Sequence, residues 1–544
     1  MYALEAKART TAMTTASAIP ASKLDSKIKR RPGKTATLIF GAVLALGLAY
    51  AGSQLVQDCS HVQTSSVFPF ILLGIALLIA LGFEFVNGFH DTANAVATVI
   101  YTHSLEPHVA VLWSGIWNFT GVLVSSGAVA FGIISLLPVE LILQVGAGSG
   151  FAMVFALLAA AIIWNLGTWY FGLPSSSSHT LIGSIIGVGL ANQLLSPSSG
   201  TSGVDWSQAR TIGESLLISP LVGFTCAGGL LLLTKVCIPN KKLYEAPEGV
   251  EPPPFWIRAL LLLTCTGVSF AHGSNDGQKG MGLIMLILVG TVPTAYALNR
   301  AVTPANVQDF IAVSAQASDT LSHYAPRGVT VGDTRADVTE YVRSRTLAPS
   351  TTPALGRMVR DVAADLGRYK ELRNVPSDQV RNFRNDLYLI GEALRLIKKT
   401  DNPAVSADDA AVLKNYKAHV DGATKFIPLW VKIAVAIALG LGTMVGWKRI
   451  VVTVGEKIGK DHLTYAQGAA AEITAMVTIG AADMYGLPVS TTHVLSSGVA
   501  GTMAANRSGL QMATMRNLLL AWVLTLPVSI LLSGSLFWAF TRVF

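Results

Sequence analysis

The chain has 544 residues, of which 51% are hydrophobic and only 13% charged, and its formal net charge is +8. That balance excludes an ordinary soluble domain and points to an integral membrane protein. It does not point to a nucleic-acid binder. Lys7, Arg9, Lys23, Lys27, Lys29, Arg30, Arg31 and Lys34 crowd one flank of the first apolar segment against Glu5 and Asp25, which is a topology signal.

In chain order, residues 1–35 are basic and rich in Ala, Thr and Ser, and predict a disordered tail. Residues 36–56 predict an extra transmembrane anchor with its basic flank in the cytoplasm. The competing reading, a cleaved signal peptide, has only Ala49-Tyr50-Ala51-Gly52 as a loose cleavage site. Further apolar runs lie at 68–100, 108–135, 151–172, 180–195, 211–236, 257–296, 427–447, 464–486, 490–505 and 512–541. A crossing takes about 20 residues, and the short runs after Pro174 and Pro488 read as half-helices. Alternating period-2 segments are absent, against a β-barrel. The fold class is therefore an all-α integral membrane protein with broken, re-entrant helices. Its expected parts are a first membrane repeat at 68–236, a cytoplasmic linker at 237–256, and a second repeat at 257–297 and 427–541. An inserted extramembrane helical domain at 298–426 interrupts the second repeat, with a helix expected from Arg381 to Lys399.

Basic loops carry Lys235, Lys241, Lys242 and Arg258, and Lys448, Arg449, Lys457 and Lys460; both should be cytoplasmic. With an odd number of crossings per repeat the two repeats face opposite ways, and the inserted block falls outside. Cys59, Cys226, Cys237 and Cys265 have no metal-like spacing and read as small buried residues.

One polar pattern occurs twice. Gly88-Phe89-His90-Asp91 is followed by Pro174-Ser175-Ser176-Ser177-Ser178-His179, and Gly273-Ser274-Asn275-Asp276 by Pro488-Val489-Ser490-Thr491-Thr492-His493. Asp and Pro are 83 residues apart in the first copy and 212 in the second; the excess, 212 − 83 = 129, is close to the length of the inserted block. A duplicated unit with ionisable residues at matching depths is the signature of a secondary transporter.

Asn87, Asp91 and Asn94 make one helical stripe, with Glu84 near it; His272, Asn275, Asp276 and Lys279 make the matching cluster. Charges at membrane depth face a cavity or a partner. The plainer alternative is a helix-holding ion pair such as Asp91 with Lys279. Glu472 and Asp483 are further candidates. Each Pro should break its helix, and the helix restarting behind it presents free N–H groups and a positive dipole end. Together with the hydroxyls of Ser176, Ser177, Ser178 and Thr180 on one side, and of Ser490, Thr491 and Thr492 on the other, these N-termini make two anion cradles. Packing glue between helices is the bland reading of such runs. No Arg lies in either motif, so binding is moderate and reversible. A proton or sodium ion at Asp91 or Asp276 would remove the repulsion between carboxylate and anion and so couple the two fluxes. Glu84, His179 and His493 are further coupling-ion candidates. No Walker-type or dinucleotide loop is present, against hydrolysis-driven transport.

The string from Asn87 through Asp91 and Asn94 to Thr98, the string Gly273 to Gly280, and the two Pro–Ser/Thr–His segments resemble the signatures of the PiT family of inorganic phosphate transporters, the bacterial low-affinity Pit-type branch above all. The resemblance covers roughly 68 to 541. It implies an inverted-repeat symporter in the bacterial inner membrane, a homodimer without cofactor, that imports phosphate with protons as a neutral complex with a divalent metal. It also carries functional roles onto Asp91, Asn94, Asn275, Asp276 and the two Ser/Thr–His segments. His90 and Lys279 stand where many members have Asn, which disfavours a sodium site. The alternatives are a sodium-coupled phosphate or sulfate permease and a phosphate-sensing receptor reporting through 298–426. A membrane enzyme using Ser177 or Ser178 beside His179 is disfavoured, because adjacent helical residues point to different faces.

Overall fold

The computed structural model describes residues 28, 33–60, 67–138, 141–142, 148–195, 203–247, 252–401 and 403–543; at 92–94, 148 and 149 only the backbone is described. The expected disordered tail lies almost wholly outside them. Among the described residues the chain is helical, with one isolated β-bridge between Gly459 and Leu510. The membrane helices are α1 (Lys34–Cys59), α2 (Phe68–Tyr101), α3 (Pro107–Val124), α4 (Ala128–Ile134), α5 (Gly148–Tyr170), α6 (Ser177–Leu195), α7 (Trp206–Cys237) and α8 (Phe255–Thr291). The inserted bundle holds α9 (Pro304–His323), α10 (Thr334–Ser344), α11 (Thr351–Tyr369), α12 (Val380–Thr400) and α13 (Ala407–Thr424). Then follow α14 (Leu429–Thr443), α15 (Tyr465–Met484), α16 (Thr491–Asn506) and α17 (Met512–Phe540).

Local chemistry explains the breaks. The run expected as one span at 108–135 is two helices bent by 75°, because Ser125 and Ser126 lead into Gly127 at φ 88°. The span expected at 257–296 stops at Thr291, before Pro293. The two re-entrant helices begin alike. Gly172 and Gly486 take left-handed φ of 67° and 66° and end the preceding helices. Pro174 and Pro488, two residues on, prevent continuation. Ser176 and Ser490 then cap the new helices, accepting the His179 and His493 N–H at 3.2 and 3.1 Å. At 19 and 16 residues, α6 and α16 are about 28 and 24 Å long, short of the ~30 Å hydrocarbon core.

Packing is reciprocal. α2 lies on α14 and α8 on α3; α6 lies on α17 and α16 on α7. At each crossing a glycine touches a backbone: a Cβ at Gly88, Gly273, Gly187 or Gly501 would collide with the carbonyl oxygen of Leu439, Asn118, Ile530 or Phe224. Small residues let membrane helices approach this closely. Along α7, Leu217, Ile218, Leu221 and Leu233 face outward while Ser219, Gly223 and Ala227 face inward; on α17, Val523 and Leu531 are outside and Thr525, Ser529 and Ser533 inside. Apolar outside and small or polar inside is the inverse of a soluble helix and fits a lipid surround.

The two ends of the protein are distinct. At one end Arg258 donates to the Ser104 carbonyl at 2.8 Å, Asn506 to the Tyr244 carbonyl at 3.4 Å, and the Lys460 N–H to the Gly509 carbonyl at 3.1 Å. Both basic loops therefore meet there. At the other end, where α7 starts, the inserted bundle docks. Arg395 holds Asp205 at 2.8 Å, and Arg345 approaches the same carboxylate at 3.5 Å. α1 reaches this end too, through Tyr296 and Asp58 at 2.6 Å. α2 runs from the bundle end to the basic end and α8 runs back. α6 and α16 start centrally and run to opposite ends.

Asp205 gives the docked bundle a pH dependence. Burial alone would raise its carboxyl, but hydrogen bonds from Ser207 and the Gln208 N–H and the charge of Arg395 outweigh that and hold it at about 2, below the usual 3.8. A depressed carboxyl stabilises the fold fully above its unfolded value, and the contribution fades as pH falls through the folded one. The contribution, about 2 kcal/mol, should vanish between roughly pH 4 and pH 2. Hydrogen exchange of α10 and α12 should rise over that window in the wild type. In Asp205→Asn it should already be raised at neutral pH; unchanged exchange would contradict the clamp.

Candidate functional site

The two motifs meet on α2 and α8, which cross at the centre. Asp91 and Asp276 are 3% and 0% exposed, and charges so deep need partners. Asp276 faces the Lys279 ammonium at 2.7 Å through Oδ1 and His272 Nε2 at 3.5 Å through Oδ2. The buried ion pair is thus Asp276 with Lys279, not Asp91 with Lys279. Asp91 has no ammonium partner among the described residues. It accepts from Ser177 Oγ at 2.9 Å and from Thr492 Oγ1, with His90 Nδ1 at 3.6 Å and His272 Nε2 at 4.0 Å. Ser177 Oγ also lies 3.4 Å from Asp276 Oδ2.

The re-entrant helices converge on this pair. Ser177 belongs to the first turn of α6 and Thr492 to that of α16, so both positive dipole ends point at one carboxylate. The rings of His179 and His493, in the same first turns, stand 4.6 Å apart, and His493 stacks on Trp522 at 4.2 Å. His179 Nδ1 and His493 Nε2 have no hydrogen-bond partner.

The other sequence candidates divide. Ser178 accepts from Lys279 at 2.5 Å and donates to the Val489 carbonyl at 2.7 Å, bridging α8, α6 and the lead-in to α16. Ser176 and Ser490 are engaged as caps. Thr180 donates to Asn165 Oδ1 at 3.0 Å, away from the aspartates. The two expected hydroxyl cradles are thus partly closed on backbone and side-chain acceptors, because buried donors need partners. Thr491 Oγ1 is buried and unpaired. Asn275 donates to the Leu487 carbonyl at 3.2 Å. Glu84 accepts from Asn87 at 3.3 Å, leaves Oε1 unpaired, and presses on Gly280, where a side chain would not fit. The Asn94 side chain lies outside the described residues. Glu472 is fully buried and accepts from Thr98 and Thr264; Asp483 accepts from Ser274 and Gln278, each at 2.6 Å.

Three contributors escaped the sequence reading. Asn118 holds His272 at 2.8 Å, Asn165 holds Thr180, and Thr168 links His90 at 3.2 Å to Ser175 at 2.9 Å. Their only signal was an isolated polar residue in an apolar run. His272 was noted in the cluster without a role.

Comparison with known proteins identifies the family. The phosphate transporter family matches residues 87–533. The low-affinity inorganic phosphate transporter PitA of Escherichia coli (strain K12) is 44% identical over 485 residues, covering 86% of this chain and 96% of its own length. PitB of the same strain is 43% identical over 494 residues, covering 87% and 97%. A solved structure described as the sodium-dependent phosphate transporter aligns with 87% of this chain and all of its own at 18% identity and a TM-score of 0.47, too distant to carry an argument. The relatives are transporters, not enzymes. With the family matched across most of its length, the chain belongs to the phosphate transporter family and is an integral membrane transporter of inorganic phosphate.

Proposed function

We propose that this protein is a symporter that imports inorganic phosphate together with protons, carrying phosphate as its neutral complex with a divalent metal, by alternating access of two inverted repeats. It would work as a homodimer in the bacterial inner membrane, with the inserted bundle outside. The observation that carries this reading is Asp91 held between the first turns of α6 and α16 by Ser177 and Thr492. Two helix N-termini with hydroxyl donors form a seat for an anion, and here a carboxylate occupies it. Protonation of Asp91 weakens its hold on both hydroxyls, which then turn to a phosphate oxygen; release of the proton restores the carboxylate and expels the anion. Phosphate and proton thus travel together. The opposed directions of α2 and α8, and of α6 and α16, support the inverted repeat. The inward burial of every charged group at the centre supports an occluded state that must open to either side in turn.

The test is uptake of radiolabelled phosphate by the purified protein in proteoliposomes under imposed pH or sodium gradients. Accumulation driven by an inward proton gradient, with a metal taken up alongside and little competition from sulfate, is the expected result. Accumulation driven by sodium alone overturns the proton assignment, equal competition by sulfate overturns the substrate choice, and binding without accumulation leaves a sensor.

A further inference from the structure

The same two positions of the repeat meet in both halves. Trp169 lies three residues before Gly172, and Asp483 three before Gly486. Phe89 lies two before Asp91, and Ser274 two before Asp276. In the first half the Phe89 and Trp169 rings pack edge to face with centroids 5.3 Å apart. In the second, Ser274 Oγ donates to Asp483 Oδ2 at 2.6 Å. Each pair joins a motif helix, α2 or α8, to the stem that precedes a re-entrant helix, α5 or α15. The two pairs are equivalent in place and opposite in chemistry.

On the basic side the closure is aromatic. The Trp169 indole donates to the Gly446 carbonyl at 2.8 Å. The Arg449 guanidinium lies 4.9 Å from the ring centroids of Trp169 and of Tyr170, and Thr453 donates to the Gly172 carbonyl at 2.8 Å. The basic loop thus grips the turn that leads into α6. On the bundle side the closure is a carboxylate. Asp483 is half-buried, and its other oxygen accepts from Gln278 Nε2 at 2.6 Å. Gln278 is fully buried, two residues beyond Asp276, and its Oε1 accepts the Val129 N–H of α4 at 2.9 Å. α4 follows Gly127, which faces Ile427 at the root of the inserted bundle. One carboxylate therefore closes α15 on α8 and, through one amide, on α4. Hydrogen bonds to an ionised acceptor are the strong kind.

We propose that Asp483 and Trp169 are the positioning residues that gate the two routes to the central aspartates, a carboxylate latch on the bundle side and an aromatic latch on the basic side. Each acts through the stem of a re-entrant helix. Parting Asp483 from Ser274 and Gln278 frees the end of α15 and draws the first turn of α16 off Asp91, which opens the bundle side alone. Parting Trp169 from Phe89 and Gly446 frees the end of α5 and does the same for α6 on the basic side. The latches share no chemistry, so one substitution unlocks one side. Losing a contact that only the closed gate makes shifts the population toward the open one. This assignment rests on the alternating-access reading.

The test reads the side from which the site is reached. Thr491 is buried in the first turn of α16 with its hydroxyl unpaired, so Thr491→Cys places a thiol there without breaking a bond. It is introduced into the full-length chain with Cys59, Cys226, Cys237 and Cys265 changed to alanine. A membrane-impermeant thiol reagent is then applied to right-side-out and to inverted vesicles. Asp483→Ala should speed labelling from the bundle side at least ~10-fold, the effect of losing one hydrogen bond to a charged group, and slow it from the basic side. Trp169→Ala should do the reverse. Asp483→Asn, whose amide oxygen still accepts one of the two bonds, should fall between the reporter and Asp483→Ala, and it keeps the test open where the alanine variant fails to fold. Unchanged rates in the Asp483 variants, or rates that rise equally from both sides in any variant, would mean that these side chains only stabilise the fold, and the gates fall. Phosphate uptake by the reporter protein, measured in parallel, separates the two readings. Proton-driven accumulation without a shift in sidedness sinks the gates alone; a shift in sidedness without accumulation sinks the transport reading alone.

Discussion

Asp91→Asn is expected to abolish proton-driven accumulation of phosphate, lowering it at least ~100-fold, while the protein stays folded and still binds phosphate at acidic pH. The carboxylate accepts hydroxyls from both re-entrant helices. Hydrogen bonds to a charged group contribute about 1.5–3 kcal/mol each, so the ionised and neutral states of this side chain differ by enough to switch the site between closed on itself and open to an anion. Asparagine has the shape of the protonated acid and cannot ionise, so it holds the site in the receptive state. Binding survives because the donors remain free; accumulation fails because nothing expels the anion or takes the proton along. Radiolabelled uptake in proteoliposomes, paired with equilibrium phosphate binding, separates the two. Coupled uptake by this variant at wild-type level would refute the role given to Asp91.

The architecture explains why a single aspartate can serve both halves. Ser177 and Thr492 come from helices that start centrally and run to opposite ends, and each of these helices packs on the helix that follows the other: α6 on α17, α16 on α7. A movement of one half against the other must change the distance from Ser177 or from Thr492 to Asp91, because the three donors and acceptors lie on separate elements. The glycine crossings make such movement a sliding of close-packed backbones rather than a repacking of large side chains. On this basis the ionisation of the site and the relative position of the halves are one equilibrium.

Much of this was legible in the sequence. Long apolar runs locate the membrane helices to within a few residues, because bilayer thickness sets their length. The Gly–Leu–Pro–x–Ser order before both re-entrant helices encodes a stop and a restart, and the structure has both, at Gly172 to Ser176 and Gly486 to Ser490. The break inside 108–135 was missed because Ser125-Ser126-Gly127 is a short signal in a hydrophobic stretch. The polar partners were less legible. That Lys279 would choose Asp276 depends on which oxygen the fold leaves free, and an (i, i+3) spacing only permits it. Asn118 and Thr168 act across helix pairs, on His272 and His90, and no local pattern links residues so far apart. Most of the Ser/Thr runs were assigned to one task, whereas the structure divides them between caps, bridges and the aspartates.

Lys279→Ala is expected to abolish uptake in sodium-free buffer and to lower stability by roughly 3–5 kcal/mol, the usual cost of stranding one partner of a buried ion pair. The ammonium is 1% exposed and touches Asp276 Oδ1 at 2.7 Å and Ser178 Oγ at 2.5 Å. Through Ser178 it reaches the Val489 carbonyl that leads into α16. It therefore acts as a tethered cation that ties α8 to both re-entrant helices. Removing it leaves a carboxylate, a hydroxyl and space beside them, the oxygen set that a small alkali ion prefers. Sodium should accordingly restore part of the stability, with a midpoint that depends on sodium concentration. Lys279→Ala combined with Asp276→Asn should recover stability without sodium, since no uncompensated charge remains, but not uptake, since the pair of motifs is then incomplete. Thermal unfolding in detergent with and without sodium, beside uptake in proteoliposomes, reads both. Sodium-free uptake at wild-type rates in Lys279→Ala would show that the ammonium only fills space, and a double variant as unstable as the single one would remove the electrostatic explanation.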